Sequence, residues 1–156
     1  MTVDPGHPHL RAWLTLGVFA GLRAHEAAKL RGEDFSGDTL FVCGKGGQQA
    51  FLPVHDRIAA LTATYPTTGP WFPGRWEGTT IGPNSVSAAT TKLLRSLGIE
   101  GSFHRCRHTF GSSLLRQGAS LRTVQELMRH ESVTSTQIYT QVSDRERAVA
   151  IQRLAA

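Results

Sequence analysis

The sequence predicts an α+β fold that is mainly α-helical, with one small antiparallel β-hairpin or sheet. Three observations carry this. Apolar residues recur at three- and four-residue spacing along most of the chain, as they do on the buried faces of helices. That pattern yields at 39–54, where two short strand-like runs flank Gly44, Lys45, Gly46 and Gly47, a turn whose glycines can take positive φ. No repeat, low-complexity tract or linker divides the 156 residues, which suffice for one domain with an ordinary core.

The elements follow in order. Residues 1–9, with two prolines and two histidines, read as a flexible lead-in that leaves His7 and His9 in solvent. Leu10, Trp13, Leu14, Gly17, Val18 and Gly21 mark one face of a helix, and Leu16 and Phe19 make its other side apolar too, so it is expected to be buried nearly all round. After Gly21 a second helical pattern runs over 24–30 and stops at Gly32, which puts Arg23 at a helix junction. The strands are expected at 39–43 and 49–54, with Lys45 projecting from the turn between them. A modest helix follows at 55–64. Residues 65–83 form a loop rich in Gly, Pro and Thr, with Trp71, Phe72 and Trp76 as anchors onto the core.

The second half is helical. Asn84 or Ser85 caps a helix to about Leu97, with Val86, Ala89, Leu93 and Leu94 on one face and Gly98 as its stop. Ser102 caps the next, over 103–117, and Ser120 caps another that reaches His130 and buries Val124, Leu127 and Met128. A short helical piece is expected at 134–139. Ser143 and Glu146 form a capping box for a terminal helix with a weak stripe of Ala148, Ile151, Leu154 and Ala155.

Composition narrows the function. With 40% apolar and 19% charged residues the chain is globular rather than disordered. No window approaches the ~18 uninterrupted apolar residues of a membrane span, and no signal-peptide core opens the chain, so a cytosolic protein is expected. Cys43 and Cys106 stand far apart and are expected as two reduced, buried thiols. A net charge of +5 points to an anionic partner such as nucleic acid.

The chemistry concentrates at 103–139. His104 and Arg107 are three apart, hence neighbours on a helix. A proton carrier beside a guanidinium that forks onto two oxygens suits a phosphodiester. A solvated histidine and arginine on a helix surface are the plainer reading of that pair alone. His130 and Tyr139 are nine apart, two and a half helical turns, so they converge only if the chain bends between them, for which 131–135 is the candidate.

Four blocks together resemble the catalytic domain of a tyrosine recombinase of the phage integrase type. GLRAHEAAKL resembles the block of the first catalytic arginine, placing it at Arg23 with Glu26 as its acidic supporting residue. CGKGGQQAFLPV resembles the hairpin block and places the catalytic lysine at Lys45. FHRCRHTF matches the histidine-x-x-arginine block through His104 and Arg107, with His108 as structural support. ELMRHESVTSTQIYTQV matches the block of the last histidine, His130, and the nucleophile, Tyr139. Each block alone is weak, but four in order from Gly21 to Val142 cover most of the chain. Departures are visible: Arg105 and Cys106 stand where an acidic residue and a leucine are common, Arg129 where glycine often precedes the histidine, and Gln48 and Gln49 where basic residues are common.

The resemblance implies DNA strand cleavage and rejoining through a 3′-phosphotyrosyl intermediate, with no cofactor and no metal. Attack on a phosphodiester meets negative charge, so the reaction needs cations fixed on the nonbridging oxygens, a task suited to Arg23 and Arg107. Tyr139, a phenol of pKa near ~10, is a poor nucleophile until a base takes its proton or the arginines favour the phenolate. His104 is the candidate base, Lys45 the candidate acid for the leaving 5′ oxygen, and His130 a donor to a phosphate oxygen. Double-stranded DNA is the implied partner, with a tetramer on DNA for the full-length protein, a monomer for the isolated domain, and bacterial cytoplasm or a phage-infected host as the setting.

Other readings compete with this one. A type IB topoisomerase-like nicking and resealing enzyme uses the same residues, and a regulatory module could keep the fold without cleaving DNA. A zinc site at His104 and His108 is disfavoured because Cys106 points away on a helix and Arg107 would crowd a cation. The glycines at 44–47 lack the spacing of a phosphate-cradling loop. As a catalytic domain, 1–156 stands without the family's N-terminal core-binding domain, so either excision or a natural truncation is expected. Residues 143–156 resemble the family's terminal segment, which docks on a neighbouring protomer, and folding back in cis is the alternative.

Overall fold

Four large side chains, Trp13, Phe72, Phe103 and Phe110, lie at or below 1% exposure and fix the centre of the core; burying each contributes about 1.5–3 kcal/mol. The computed structural model describes residues 7–129 and 144–155. Its helices are α1 (Leu10–Ala20), α2 (Ala24–Ala28), α3 (Asp56–Thr62), α4 (Pro83–Ser96), α5 (Phe103–Arg116), α6 (Leu121–Met128) and α7 (Asp144–Gln152). The strands β1 (Phe35–Ser36), β2 (Thr39–Cys43) and β3 (Gln49–Pro53) form one antiparallel sheet in the order β1-β2-β3. The expected fold class is the observed one: a mainly helical α+β domain with a small sheet at its side.

Two glycines let α1 and α5 approach closely. A Cβ on Gly17 would stand 2.6 Å from the Cys106 Cβ and 3.0 Å from the Phe103 ring. Gly21, the left-handed cap of α1 at φ 59°, would place one 2.5 Å from the Phe110 ring. A side chain at either position would wedge apart the pair of helices on which the centre is built.

The β2–β3 hairpin pairs Thr39 with Pro53 through Cys43 with Gln49, and a 3-10 turn at Lys45–Gly47 closes it. Gly46 (φ 76°) and Gly47 (φ 78°) supply the left-handed conformations that the turn requires. Leu40, Val42 and Leu52 face the core, while Phe51 is exposed.

Helix α7 packs on its own chain, burying Ala150 and Ile151, and Leu154 just beyond it is buried too. The buried His55, N-cap of α3, accepts the Arg57 backbone N–H on Nδ1, and its Nε2 meets the Leu154 carbonyl at 3.2 Å. Ala150 was absent from the expected stripe, and Ala155 in fact lies exposed.

Several local expectations need correction. Helix α4 starts at Pro83 with Gly82 as its cap, two to three residues before the expected cap at Asn84 or Ser85, because proline at the first helical position gives up only an N–H that has no helical partner. His9 is half-buried, 3.1 Å from the Tyr65 hydroxyl and edge-on to Phe72. Trp76 is 71% exposed and anchors nothing in the core, although Trp71 and Phe72 do. Cys43 is exposed on the hairpin, and only Cys106 is buried. The expected helix at 134–139, the bend at 131–135 and the Ser143 cap lie outside the described residues.

Candidate active site: an arginine cluster on a helix end

The last turn of an α-helix leaves carbonyls without helical donors, and the helix dipole makes that end attract cations. At the end of α6 three such carbonyls each receive one arginine. The Leu127 carbonyl accepts from Arg129 at 3.0 Å, the Met128 carbonyl from Arg107, and the Arg129 carbonyl from Arg23 at 3.3 Å. The Gly21 carbonyl, at the end of α1, accepts from both Arg107 (2.5 Å) and Arg129 (3.3 Å). The cluster therefore joins the ends of α1 and α6.

One carboxylate faces the three cations. Glu26 is buried at 4% exposure. Its Oε2 accepts the Arg23 backbone N–H (2.7 Å) at the start of α2 and an Arg129 terminal N–H (2.6 Å), while Oε1 lies 3.5 Å from Arg23. Among the described residues the cluster thus has three guanidinium groups against one carboxylate, leaving two positive charges uncompensated. Burial, then Arg129 and Arg23, pull the Arg107 guanidinium down to about 10, with Glu26 opposing them, so it stays charged at neutral pH. Burial also lowers Arg129. Two excess positive charges suit an oxyanion, such as the doubly negative phosphorane formed when a phosphodiester is attacked.

The three arginines differ in access. Arg107 is 2% exposed, Arg129 has 10% of its side chain open and Arg23 has 27%. The approach to the cluster therefore lies over Arg23. Two of the five N–H donors of Arg107 are committed to carbonyls, which leaves three for an anion.

The structure brings Arg23, Glu26 and Arg107 together as the sequence blocks imply. Lys45 is exposed in the hairpin turn, and its neighbour Gly44 is close enough to the centre that a Cβ there would lie 3.6 Å from Glu26 Oε1. His104 sits one turn before Arg107 on α5 but faces outward, its ring edge-on to His108 at 4.6 Å. Both line a groove of about 480 Å³ with Arg105, Thr109, Ser112 and Arg116. His130 and Tyr139 lie outside the described residues. Arg129 was not foreseen as a member of the site; its signal in the sequence was an arginine where a helix end favours glycine.

Fold and cluster define a helical domain with three arginines gathered on the end of α6. The phage integrase family model matches residues 2–146, and the chain belongs to that family. It is 36% identical over 146 residues to the tyrosine recombinase XerC of Bradyrhizobium diazoefficiens, covering 85% of this chain and 45% of that protein. It is 33% identical over 149 residues to a tyrosine recombinase of Pseudothermotoga lettingae, covering 90% and 52%. Among solved structures, the integrase from mycobacterium phage Brujita superposes with a TM-score of 0.85 at 42% identity, over 98% of this chain and 54% of that one. The lambda integrase (75-356) dimer bound to a COC′ core site shares the fold, at a TM-score of 0.67 and 19% identity over 88% of this chain and 56% of that one. The chain spans about half the length of the curated relatives it matches.

Proposed function

We propose that this chain is the catalytic domain of a site-specific DNA recombinase that cleaves and rejoins double-stranded DNA. The carrying observation is the cluster of Arg23, Arg107 and Arg129 around Glu26 at the end of α6, cation-rich by two charges in a phage integrase fold. The phosphodiester enters over Arg23, and its nonbridging oxygens take the free N–H donors of Arg23 and Arg107. The Tyr139 phenol oxygen attacks phosphorus, and the phosphorus–O5′ bond breaks as the phosphotyrosyl bond forms. The family likeness assigns the phenol proton to His104, which would have to turn from the outer groove where its ring now lies, the proton for the departing 5′ oxygen to Lys45, and a hydrogen bond to a phosphate oxygen to His130. A second strand's 5′ hydroxyl reverses the step, so no outside energy source is needed.

Recombination is preferred over nicking and resealing by a type IB topoisomerase because the matched relatives are named as recombinases and integrases. The full-length protein is read as a tetramer on DNA in the bacterial cytoplasm or nucleoid, with an N-terminal core-binding domain completing the clamp. The isolated chain is read as a monomer that binds DNA weakly and with steep salt dependence. Residues 143–156 would dock on a neighbour in that tetramer by exchanging the packing that Ile151 and Leu154 now make at home.

A pool of nicked duplexes of random sequence tests this without knowledge of the target site. Cleavage beside the nick loses the short strand and traps the adduct, which migrates slowly in a denaturing gel. The expected result is a covalent adduct from the wild type and none from Tyr139→Phe. No adduct, or one that survives Tyr139→Phe, would overturn the reading.

A further inference from the structure

Arg129 ends α6 in a left-handed conformation, at φ 53° and ψ 47°, the one positive-φ residue among the described residues that is not glycine. Glycine adopts this geometry without a Cβ clash, so an arginine there goes against the preference of its own backbone. Its side chain is spent on three elements: Leu127 in α6, Gly21 at the end of α1, and Glu26 in α2. The contact with Glu26, at 2.6 Å, is its shortest.

Glu26 stands at the hinge of the arrangement. The carboxylate oxygen that takes the Arg129 N–H also takes the Arg23 backbone N–H, and its other oxygen faces the Arg23 guanidinium. Without Arg129 the buried carboxylate would have Arg23 as its one cation at bonding distance among the described residues, and would draw that guanidinium inward, away from its open approach. With Arg129 in place, Glu26 takes its shortest contact from the closed side, at 2.6 Å, and holds the Arg23 guanidinium only at 3.5 Å, so that Arg23, with one terminal nitrogen on the Arg129 carbonyl, stays out at the open approach.

We infer that Arg129 is a positioning residue for DNA cleavage: it holds Glu26 so that Arg23 is presented to the scissile phosphate. This rests on the phosphodiester reading above. The departure from glycine then acquires a physical purpose, a less favourable backbone conformation retained for the sake of a guanidinium.

The backbone geometry supplies a discriminating test, because Arg129→Gly removes the side chain while suiting the fold. Single-turnover cleavage of the nicked duplex, thermal unfolding and DNA affinity are measured for the wild type, Arg129→Gly, Arg129→Lys, Glu26→Gln and the Arg129→Gly/Glu26→Gln double variant. The expected result is a cleavage rate about 10- to 100-fold lower in Arg129→Gly at temperatures where the variant is fully folded, with DNA affinity within twofold; the relaxed backbone offsets part, not all, of the stability lost with the Glu26, Gly21 and Leu127 contacts. Arg129→Lys, which keeps a cation for Glu26, recovers part of the rate. In the Glu26→Gln background, removing Arg129 has little further effect, as coupling through that carboxylate requires. Wild-type rates in Arg129→Gly, additive effects in the double variant, or rate losses that track a fall in melting temperature in both Arg129 variants would each overturn the inference. A wild type that forms no adduct overturns the cleavage reading instead, so the two failures are told apart.

Discussion

Arg107→Lys separates the two tasks that the cluster gives to one side chain. Arg107 bridges the Gly21 and Met128 carbonyls with two different nitrogens while 2% exposed. A lysine offers one nitrogen where the guanidinium offers two, so it cannot span the same pair of carbonyls in the same geometry: either Met128 loses its arginine donor or Gly21 keeps only the longer contact from Arg129. Losing one hydrogen bond from a charged donor costs about 1.5–3 kcal/mol, and an ammonium is more strongly hydrated than a guanidinium and so harder to bury. The expected destabilisation is therefore about 2–4 kcal/mol, or roughly 4–16 °C in melting temperature for a domain of this size. Urea unfolding followed by Trp fluorescence reads the first figure, since Trp13 and Trp71 are buried. Cleavage should fall further than stability accounts for, by at least about 100-fold even at temperatures where the variant is fully folded, because the fork onto a phosphate is also lost. A variant within about 0.5 kcal/mol of wild type would refute the reasoning, since it would mean that the carbonyl bridge does not hold α1 to α6.

Two further outcomes follow from the packing. Gly21→Ala forces a Cβ to 2.5 Å from the Phe110 ring at φ 59°, and should destabilise by about 2–4 kcal/mol in denaturant titration while loosening the carbonyl that holds Arg107 and Arg129. In thiol labelling at pH 8, one cysteine per native molecule should react quickly, the exposed Cys43; burial pushes the Cys106 thiol up to about 11, so thiolate forms there only as pH rises toward that value, and unfolding should release it at once.

The chain discloses its fold where a local rule is strong. Helices α1 and α5 have long apolar periods, and the hairpin has four residues at its turn of which three are glycine, so each was visible to within about a residue. Strand β1 was not, because two residues cannot show an alternation; its pairing with Leu40 and Thr39 is created by the sheet. Trp76 and Cys43 were misplaced for a related reason: apolar character says that a residue can be buried, and only the packing decides whether it is.

Within the site, spacing gave the neighbourhood but not the direction. His104 and Arg107 are adjacent on α5 as three-residue spacing demands, yet positions three apart on a helix differ by about 60° around its axis. That is enough for Arg107 to turn inward to the carbonyls while His104 lines the outer groove. The convergence of Arg23 on Arg107 spans more than eighty residues of sequence and was reachable only through the likeness of separate blocks. Arg129 broke a local preference, and that broken preference was itself the clue.

The terminus of α6 has a mechanical consequence. Three guanidinium groups, from the residue before α2, the first half of α5 and the residue that caps α6, all register against successive carbonyls at the end of one helix. Sliding that helix along its axis by a single residue rise, ~1.5 Å, would misalign the donors from α2 and α5 at once. The centre thus behaves as a vernier with one moving scale: whatever sets the axial position of α6 sets the spacing of Arg23 and Arg107, and both are in register together or not at all.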